Sequence, residues 1–205
     1  MVKTKIAVLV SGGGTNLQAL FDAQSTGALH SGEIVLVVSN NPKAYALERA
    51  SNHGVKTAVL DKEAYPSQEA FEEKLQSLLA EAGVELIVLA GFMRILSETF
   101  TTAWPRRILN VHPSLIPSFC GKGYYGLKVH EAALAYGVKV TGATVHFVNE
   151  IPDGGEIVLQ KAVYVEAGDT PELLQRRVME EAEWQLLPQA AEQISKEIQQ
   201  GRTEA

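Results

Sequence analysis

The chain has 205 residues, of which 46% are hydrophobic and 20% charged, and this balance excludes disorder throughout the chain. Its formal net charge of −6, without a compensating basic stripe, excludes a general binder of nucleic acid or another polyanion. Cys120 is the only cysteine, which excludes an internal disulfide or a cysteine-rich metal cluster and fits a reducing compartment. No apolar run resembles a signal peptide or a membrane span. We therefore expect one cytoplasmic domain over residues 1–205, with neither a membrane nor a nucleic-acid partner.

Short apolar runs alternate with helical patterns through the first half of the chain. Five of these runs have the character of buried parallel strands: 6–10, 34–38, 55–60, 85–90 and 107–112. Helices followed by a glycine are expected at 16–25, 43–53 and 67–82. Asn16 is the expected cap of the first helix. The alternation predicts an α/β fold with a Rossmann-like, open, mostly parallel twisted sheet and helices on both faces.

The second half of the chain has a different pattern. A helix is expected at 127–136, and the β-branched and aromatic runs 139–149 and 156–166 read as a strand–loop–strand pair. This pair is expected to form an antiparallel C-terminal edge of the sheet. Thr170 and Pro171 are typical of a helix start, and the helix that they begin is expected to reach about residue 200, with a bend near Pro188.

Three consecutive glycines follow the first strand, within residues 11–16. Glycine lets the backbone approach an anion closely, and a helix N-terminus offers free N–H groups. The dinucleotide fingerprint is incomplete, because Leu17 stands at the position of the third glycine. Asn40 and Asn41 stand where an NAD site has an acid, and no P-loop lysine is present. The pattern favours a phosphate monoester over NAD, and a tight strand-to-helix turn is the alternative.

Asn110 and His112 are two residues apart on the fifth expected strand, so their side chains point to one face of the sheet. They lie at the carboxyl end of that strand, where open α/β sheets bind ligands. Polar side chains that end a buried strand need a partner or a function, and a hydrogen-bonded core histidine is the alternative for His112. No further histidine or carboxylate stands at metal-ligand spacing, so we predict no metal site.

Four other residues are candidates for the site, and a structural interpretation competes with a functional one. Asp153 lies in a Pro-Asp-Gly-Gly loop, where turn chemistry also explains an aspartate. Arg94 lies among apolar residues in the segment 91–96, where it can hold a flat heterocycle with an anionic or carbonyl edge, although its neighbours also read as core. His146 is mid-strand and is interpreted as structural. Cys120 has no base assigned to it and is a poor candidate nucleophile.

Three segments, taken in their order, resemble the phosphoribosylglycinamide formyltransferases, which are folate-dependent enzymes of purine synthesis. The most specific segment is 110–117, which resembles the formyltransferase signature, and 144–148 and 153–155 follow it. The resemblance covers residues 6 to about 188. No single motif carries it, because each is common alone and only their order is specific.

The resemblance implies roles for particular residues. The positions that match the family's catalytic trio are Asn110, His112 and Asp153. Those that match the loop binding the ribonucleotide phosphate through backbone amides are Gly14, Thr15 and Asn16. Those that match the wall around the pterin of the folate are Met93, Arg94, Leu96 and Asn149. Glu183 matches an acid that contacts the ribonucleotide; here the segment 177–188 is one residue longer than the family spacing, and Trp184 stands where histidine is frequent.

The implied reaction is transfer of the formyl group of 10-formyltetrahydrofolate to the amine of glycinamide ribonucleotide in de novo purine biosynthesis. The resemblance implies direct attack through a tetrahedral intermediate, with the folate as co-substrate and no metal. The implied partners are these two small molecules, and a homodimer is left open.

Two other functions remain open at this point. A formyltetrahydrofolate hydrolase is the runner-up, because the same trio can use water in place of the amine. A non-catalytic nucleotide-binding module explains the glycine loop but gives Asn110, His112 and Asp153 no common purpose. The length leaves no room for the additional domains of the hydrolase or of methionyl-tRNA formyltransferase, so we expect a stand-alone catalytic domain.

Overall fold

The sheet has seven strands in the computed structural model, which describes residues 2–203. The strands in chain order are β1 (Thr4–Val10), β2 (Gly32–Ser39), β3 (Lys56–Val59), β4 (Leu86–Leu89), β5 (Ile108–His112), β6 (Val140–Phe147) and β7 (Ile157–Tyr164). The helices are α1 (Thr15–Thr26), α2 (Tyr45–Asn52), α3 (Gln68–Glu81), α4 (Glu98–Thr102), α5 (Leu127–Tyr136), α6 (Pro171–Val178) and α7 (Trp184–Thr203). A 3₁₀ turn at Lys62–Ala64 and a π turn at Met179–Glu183 complete the regular structure.

The strand order is β3-β2-β1-β4-β5-β6-β7. Strands β1 to β5 are parallel, and β6 and β7 add the antiparallel edge. The predicted fold class is therefore confirmed. The order reverses direction between β1 and β4, and in such sheets the crevice at the reversal, outside the carboxyl ends of the strands, is where ligands bind.

Alternate residues of each central strand enter different apolar layers, because successive strand side chains point to opposite faces. In β1, Val8 belongs to the apolar layer that also contains residues of α1, α2, α6 and α7, whereas Leu9 belongs to the layer that contains residues of α3 and α4. Both residues are fully buried. A sheet covered on both faces explains the continuous apolar runs in the sequence. No helix in the described part of the chain is long and apolar enough to cross a membrane.

The start of α1 differs from the prediction. Gly14, not Asn16, is its N-cap residue, and the helix begins at Thr15. Gly14 adopts φ +73, and a Cβ there would lie 2.6 Å from the Cβ of Ala46, so only glycine fits. The side chain of Asn16 is consequently free of capping and donates to Glu183 instead.

The C-terminal helical region begins as predicted, with Thr170 as the N-cap residue and Pro171 at the first helical position. The bend expected near Pro188 stays a prediction. Pro188 lies inside α7, and the irregularity is the π turn between α6 and α7. The short helix α4 has no counterpart among the predicted elements.

Candidate active site

Three loops meet at the carboxyl ends of β1, β4 and β5, where the strand order reverses. The loop after β1 is joined to the loop after β4 by a hydrogen bond of 2.8 Å from the Met93 amide to Ser11 Oγ. The loop after β1 is further held by Asn41 Nδ2 on the Ser11 carbonyl and by Arg49 Nε on the Gly13 carbonyl. The glycine loop is thus fixed by its neighbours on both sides.

Asn110, His112 and Asp153 converge, although Asp153 is distant in the chain. Asn110 and His112 lie on β5, and Asp153 lies in the loop between β6 and β7 with φ +56. His112 Nδ1 is 3.5 Å from Asp153 Oδ2, and the two side chains are only 5% and 13% exposed. The two-residue spacing in the sequence already predicts that Asn110 and His112 share one face of the sheet. Only the fold shows that Asp153 lies beside them.

His146 joins the same cluster. It lies directly opposite Asn110 in the antiparallel pairing of β5 and β6. Its Nε2 is 3.2 Å from Asn110 Nδ2 and 3.6 Å from Asp153 Oδ1, and its Nδ1 is 2.8 Å from the Phe147 carbonyl. A carbonyl only accepts hydrogen bonds, so Nδ1 carries a proton. His146 was interpreted as structural from the sequence, and the register of β6 is what brings it into the site.

The carboxyl of Asp153 remains ionised more readily than usual despite its burial. Burial raises its pKa, but the hydrogen bond from His146, the nearby charge of His112 and the N–H of Gly121 together lower it below the ordinary value. The Gly121 amide donates to Asp153 Oδ2 at 2.8 Å. The arrangement therefore holds a carboxylate beside two imidazoles in a partly dry site.

Glu183 lies in the same cavity, where it meets the start of α1. Asn16 Nδ2 donates to Glu183 Oε2 at 2.7 Å. Burial raises the pKa of Glu183 to about 7, and the Asn16 hydrogen bond offsets only part of this effect. Asn16 Oδ1 is buried and has no hydrogen-bond partner among the described residues. This oxygen is an acceptor available to a ligand donor such as a hydroxyl.

A π turn lies between α6 and α7, at Met179–Glu183. The Trp184 amide bonds to the Met179 carbonyl, five residues back, where an α-helix would use four. Residues four apart lie on the same face of a helix, so Met179 and Glu183 point the same way. Both residues line the cavity.

Arg94 is less exposed than the sequence suggested. Its guanidinium stacks 3.9 Å from the Phe71 ring centroid, and its Nε and Nη2 both donate to Gln68 Oε1. Its Nη1 is buried without a partner in the part of the chain that is described. Met93 and Ile95 beside it are exposed rather than core, and Leu96 is buried.

These groups line one cavity of about 660 Å³. Its walls include most of the residues that the sequence singled out, namely Asn16, Met93, Arg94, Leu96, Asn110, His112, Asn149, Asp153 and Glu183. Gly14 shapes the loop behind Asn16 rather than lining this cavity. Thr15 lines a second cavity of about 640 Å³, between α1 and α7, which contains none of the catalytic candidates.

The loop after β5 also contributes, although the sequence assigned it no role. The Phe119 carbonyl lies 2.9 Å from His112 Nε2, and Gly121 bonds to Asp153 as described above. Backbone contacts of this kind leave no signal in side-chain identity, apart from the glycines that permit the turn. Across residues 2–203, no group of three or more His, Cys, Asp or Glu side chains is arranged to hold a metal ion.

The chain is similar to known proteins over nearly its whole length. A chicken protein named "Trifunctional purine biosynthetic protein adenosine-3" is 47% identical over 193 residues, which are 94% of this chain and 18% of that protein. A chloroplastic phosphoribosylglycinamide formyltransferase of Arabidopsis thaliana is 42% identical over 180 residues, 87% of this chain and 61% of that protein. The chain therefore spans less than two thirds of the length of these relatives.

Solved structures give the same result. The glycinamide ribonucleotide transformylase 1 of Symbiobacterium toebii superposes with a TM-score of 0.88 at 45% identity, over 95% of this chain and 88% of that one. The phosphoribosylglycinamide formyltransferase of Bacillus halodurans superposes with a TM-score of 0.86 at 37% identity, over 93% of this chain and 95% of that one. The family described as "Formyl transferase" matches residues 4–191. Because this match spans most of the 205 residues, the chain belongs to the formyl transferase family.

Proposed function

We propose that the protein transfers the formyl group of 10-formyltetrahydrofolate to the amine of glycinamide ribonucleotide. The observation that carries this proposal is the convergence of Asn110, His112 and Asp153 in a cavity that also reaches Asn16 and Glu183. An amide donor, an imidazole and a carboxylate are the groups that acyl transfer to an amine requires. The names of the relatives described above support glycinamide ribonucleotide as the acceptor of a formyl group.

The ribonucleotide is proposed to bind at the start of α1. Its phosphate would accept hydrogen bonds from backbone N–H groups at Gly14, Thr15 and Asn16, where the helix N-terminus favours negative charge. Asn16 Oδ1 and the Glu183 carboxyl would then face its hydroxyl groups, since both are polar atoms at the cavity wall. This orientation directs the amine toward Asn110.

The folate is proposed to lie against the loop after β4. Met93 and Ile95 offer exposed apolar surface to a flat ring, and Arg94 Nη1 offers a donor that is otherwise unpartnered in the described structure. Leu96 and Asn149 complete the wall proposed for the pterin. The donor supplies an activated formyl carbonyl, and no metal takes part in the proposed reaction.

The proposed chemistry is direct attack by the neutral amine on the formyl carbon. The carbonyl oxygen becomes an oxyanion, to which the Asn110 amide donates while protonated His112 provides positive charge, and each well-placed donor of this kind is worth about 3 kcal/mol. The carbon–nitrogen bond to the folate then breaks. Asp153, through a water, passes the proton lost by the amine to the departing folate nitrogen.

We further propose that residues 1–205 act as one catalytic domain, as a homodimer, in the cytoplasm. The continuous sheet supports the single domain, because strands from both halves of the chain are paired in it. The plant relative is chloroplastic by name.

Asp153→Asn is expected to lower kcat by about 10²-fold or more, because the amide can neither accept the amine proton nor keep His112 charged. KM values for both substrates are expected to change little. Steady-state assays of folate deformylation measure both parameters. The control is Asp22→Asn, an exposed aspartate at the second cavity, which is expected to keep full activity. An unchanged kcat in Asp153→Asn would contradict the proposed role.

Gly14→Ala is expected to raise KM for the ribonucleotide by about tenfold, because the added Cβ meets Ala46 and displaces the amides that hold the phosphate. Gly27→Ala is the matched control, since Gly27 ends the same helix with φ +79 and has open space around it. It carries similar backbone strain away from the cavity. Equal effects of the two variants on KM would count against a phosphate site at the loop.

Glu183→Gln is expected to remove part of the pH dependence of stability. The folded-state pKa of about 7 lies above the ordinary 4.5, so the native protein holds a proton that the unfolded chain has lost. Stability therefore falls as pH rises from about 4.5 through 7, by up to about 3 kcal/mol from this group. Glutamine cannot ionise, so the stability of Glu183→Gln is expected to fall less than that of the parent protein as the pH rises.

Urea unfolding of both proteins at pH 5 and pH 8 measures the difference. Glu181→Gln, an exposed glutamate of the same π turn, serves as the control and is expected to behave like the parent protein. The interpretation of Glu183 fails if its variant and the parent lose the same stability between the two pH values.

A further inference from the structure

The segment between β5 and α5 contacts both ionisable residues of the proposed catalytic trio through its backbone. His112 Nε2 is 2.9 Å from the Phe119 carbonyl oxygen, and the Gly121 amide donates to Asp153 Oδ2 at 2.8 Å. The same carboxylate oxygen is 3.5 Å from His112 Nδ1. Two backbone groups, only two residues apart, therefore enclose the His112–Asp153 pair from one side.

The contact with Phe119 determines the protonation of the imidazole. A carbonyl oxygen has no proton to donate, so the hydrogen of this contact belongs to His112 Nε2. Nδ1 then faces the carboxylate of Asp153. Gly121 occupies part of the hydrogen-bonding capacity of Oδ2 and fixes that oxygen in front of Nδ1.

The turn that supplies these groups has an unusual backbone that other contacts hold in place. Phe119 has φ +50 and Gly121 has φ +84, and the left-handed region is unfavourable for phenylalanine. The Phe119 ring packs edge-on against Tyr124 and Tyr136, with centroids 6.3 and 6.0 Å apart. The Ser114 hydroxyl also donates a hydrogen bond of 2.6 Å to the carbonyl of Ser118, the residue before Phe119. Strain of this kind persists only where the surroundings define the conformation.

We propose that the Phe119 carbonyl and the Gly121 amide form a backbone clamp that holds Nδ1 of His112 against the Asp153 carboxylate, which relays the amine proton. The inference rests on the roles proposed above for these two side chains. Phe119 and Gly121 are positioning residues, since they act through the imidazole and the carboxylate rather than on a substrate. The clamp keeps Nε2 protonated and reserves Nδ1 for the proton shared with Asp153.

Three other groups face the pair and are considered in any test that varies pH. His146 reaches Asp153 from β6, and Cys120 lies in the clamp turn itself. His130 faces His112 from α5; burial, followed by the charge of His112, lowers its pKa to about 4. His130 is therefore neutral near pH 7, and the thiol of Cys120 has its pKa raised by burial and by Asp153.

Gly121→Ala tests the clamp, with Gly123→Ala as its matched control. Both glycines belong to the same loop and have positive φ, and an added Cβ meets at most an ordinary contact at either position. Gly121 alone of the two bonds to Asp153 in the described structure. Gly121→Ala is expected to lower kcat about tenfold, with both KM values within about threefold. For Gly123→Ala, kcat and both KM values are expected to stay within about twofold of those of the parent protein.

The pH profile distinguishes positioning from a general loss of structure. Alanine disfavours the φ of +84 at position 121, so its amide is expected to turn away from Asp153 in Gly121→Ala. The carboxylate is then less stabilised and protonates at higher pH. The acidic limb of the kcat profile is thus expected to move to higher pH in Gly121→Ala and to stay in place in Gly123→Ala. Identical profiles and kcat values in the two variants would overturn the proposal.

A second measurement needs neither a variant nor turnover. In the unmodified protein labelled with ¹⁵N-histidine, the resonances of neutral His112 are expected to show its proton on Nε2, with Nδ1 unprotonated and facing Asp153. A neutral His112 with its proton on Nδ1 would overturn the clamp even if Gly121→Ala failed to fold. Because this readout uses the free protein, it separates failure of the clamp from failure of the proposed formyl transfer.

Discussion

The site depends on keeping one carboxylate, that of Asp153, ionised in a place from which most water is excluded. A buried charge is stable only if donors replace its hydration, and here the donors come from three different parts of the chain. His112 belongs to β5, His146 to β6 and Gly121 to the loop between β5 and α5. The carboxylate therefore ties the last parallel strand, the antiparallel edge and the loop together at one point. Removing any donor affects the others, because all of them meet at the same two oxygens.

The topology of the sheet makes this meeting possible. Parallel strands align their carboxyl ends at one edge, so the loops after β1, β4 and β5 are neighbours although they are far apart in sequence. The antiparallel return of β6 then places His146 opposite Asn110 and leads directly into the loop of Asp153. The same edge holds the start of α1, where Glu183 meets Asn16. The end proposed to bind the phosphate and the end proposed for proton transfer therefore lie at the same edge of the sheet.

Much of this was predictable from the sequence, for definite physical reasons. The sheet and its helices follow from apolar runs and glycine stops, and the shared face of Asn110 and His112 follows from the two-residue period of a strand. The sequence could not place His146 in the site, because the position of its side chain depends on the register of β6 against β5. Asn16 was expected to cap α1, but the choice between capping and contacting Glu183 depends on a tertiary neighbour. The clamp turn was missed because its contacts use only backbone atoms.

The central claim is that this cavity joins an amine to a formyl group instead of releasing the formyl group to water. The direct measurement follows folate deformylation and formate release by the purified protein, with and without glycinamide ribonucleotide. The account predicts no deformylation without the ribonucleotide, and with it one formylated ribonucleotide for each folate deformylated. Formate release at a comparable rate without the ribonucleotide would identify a hydrolase and contradict the account.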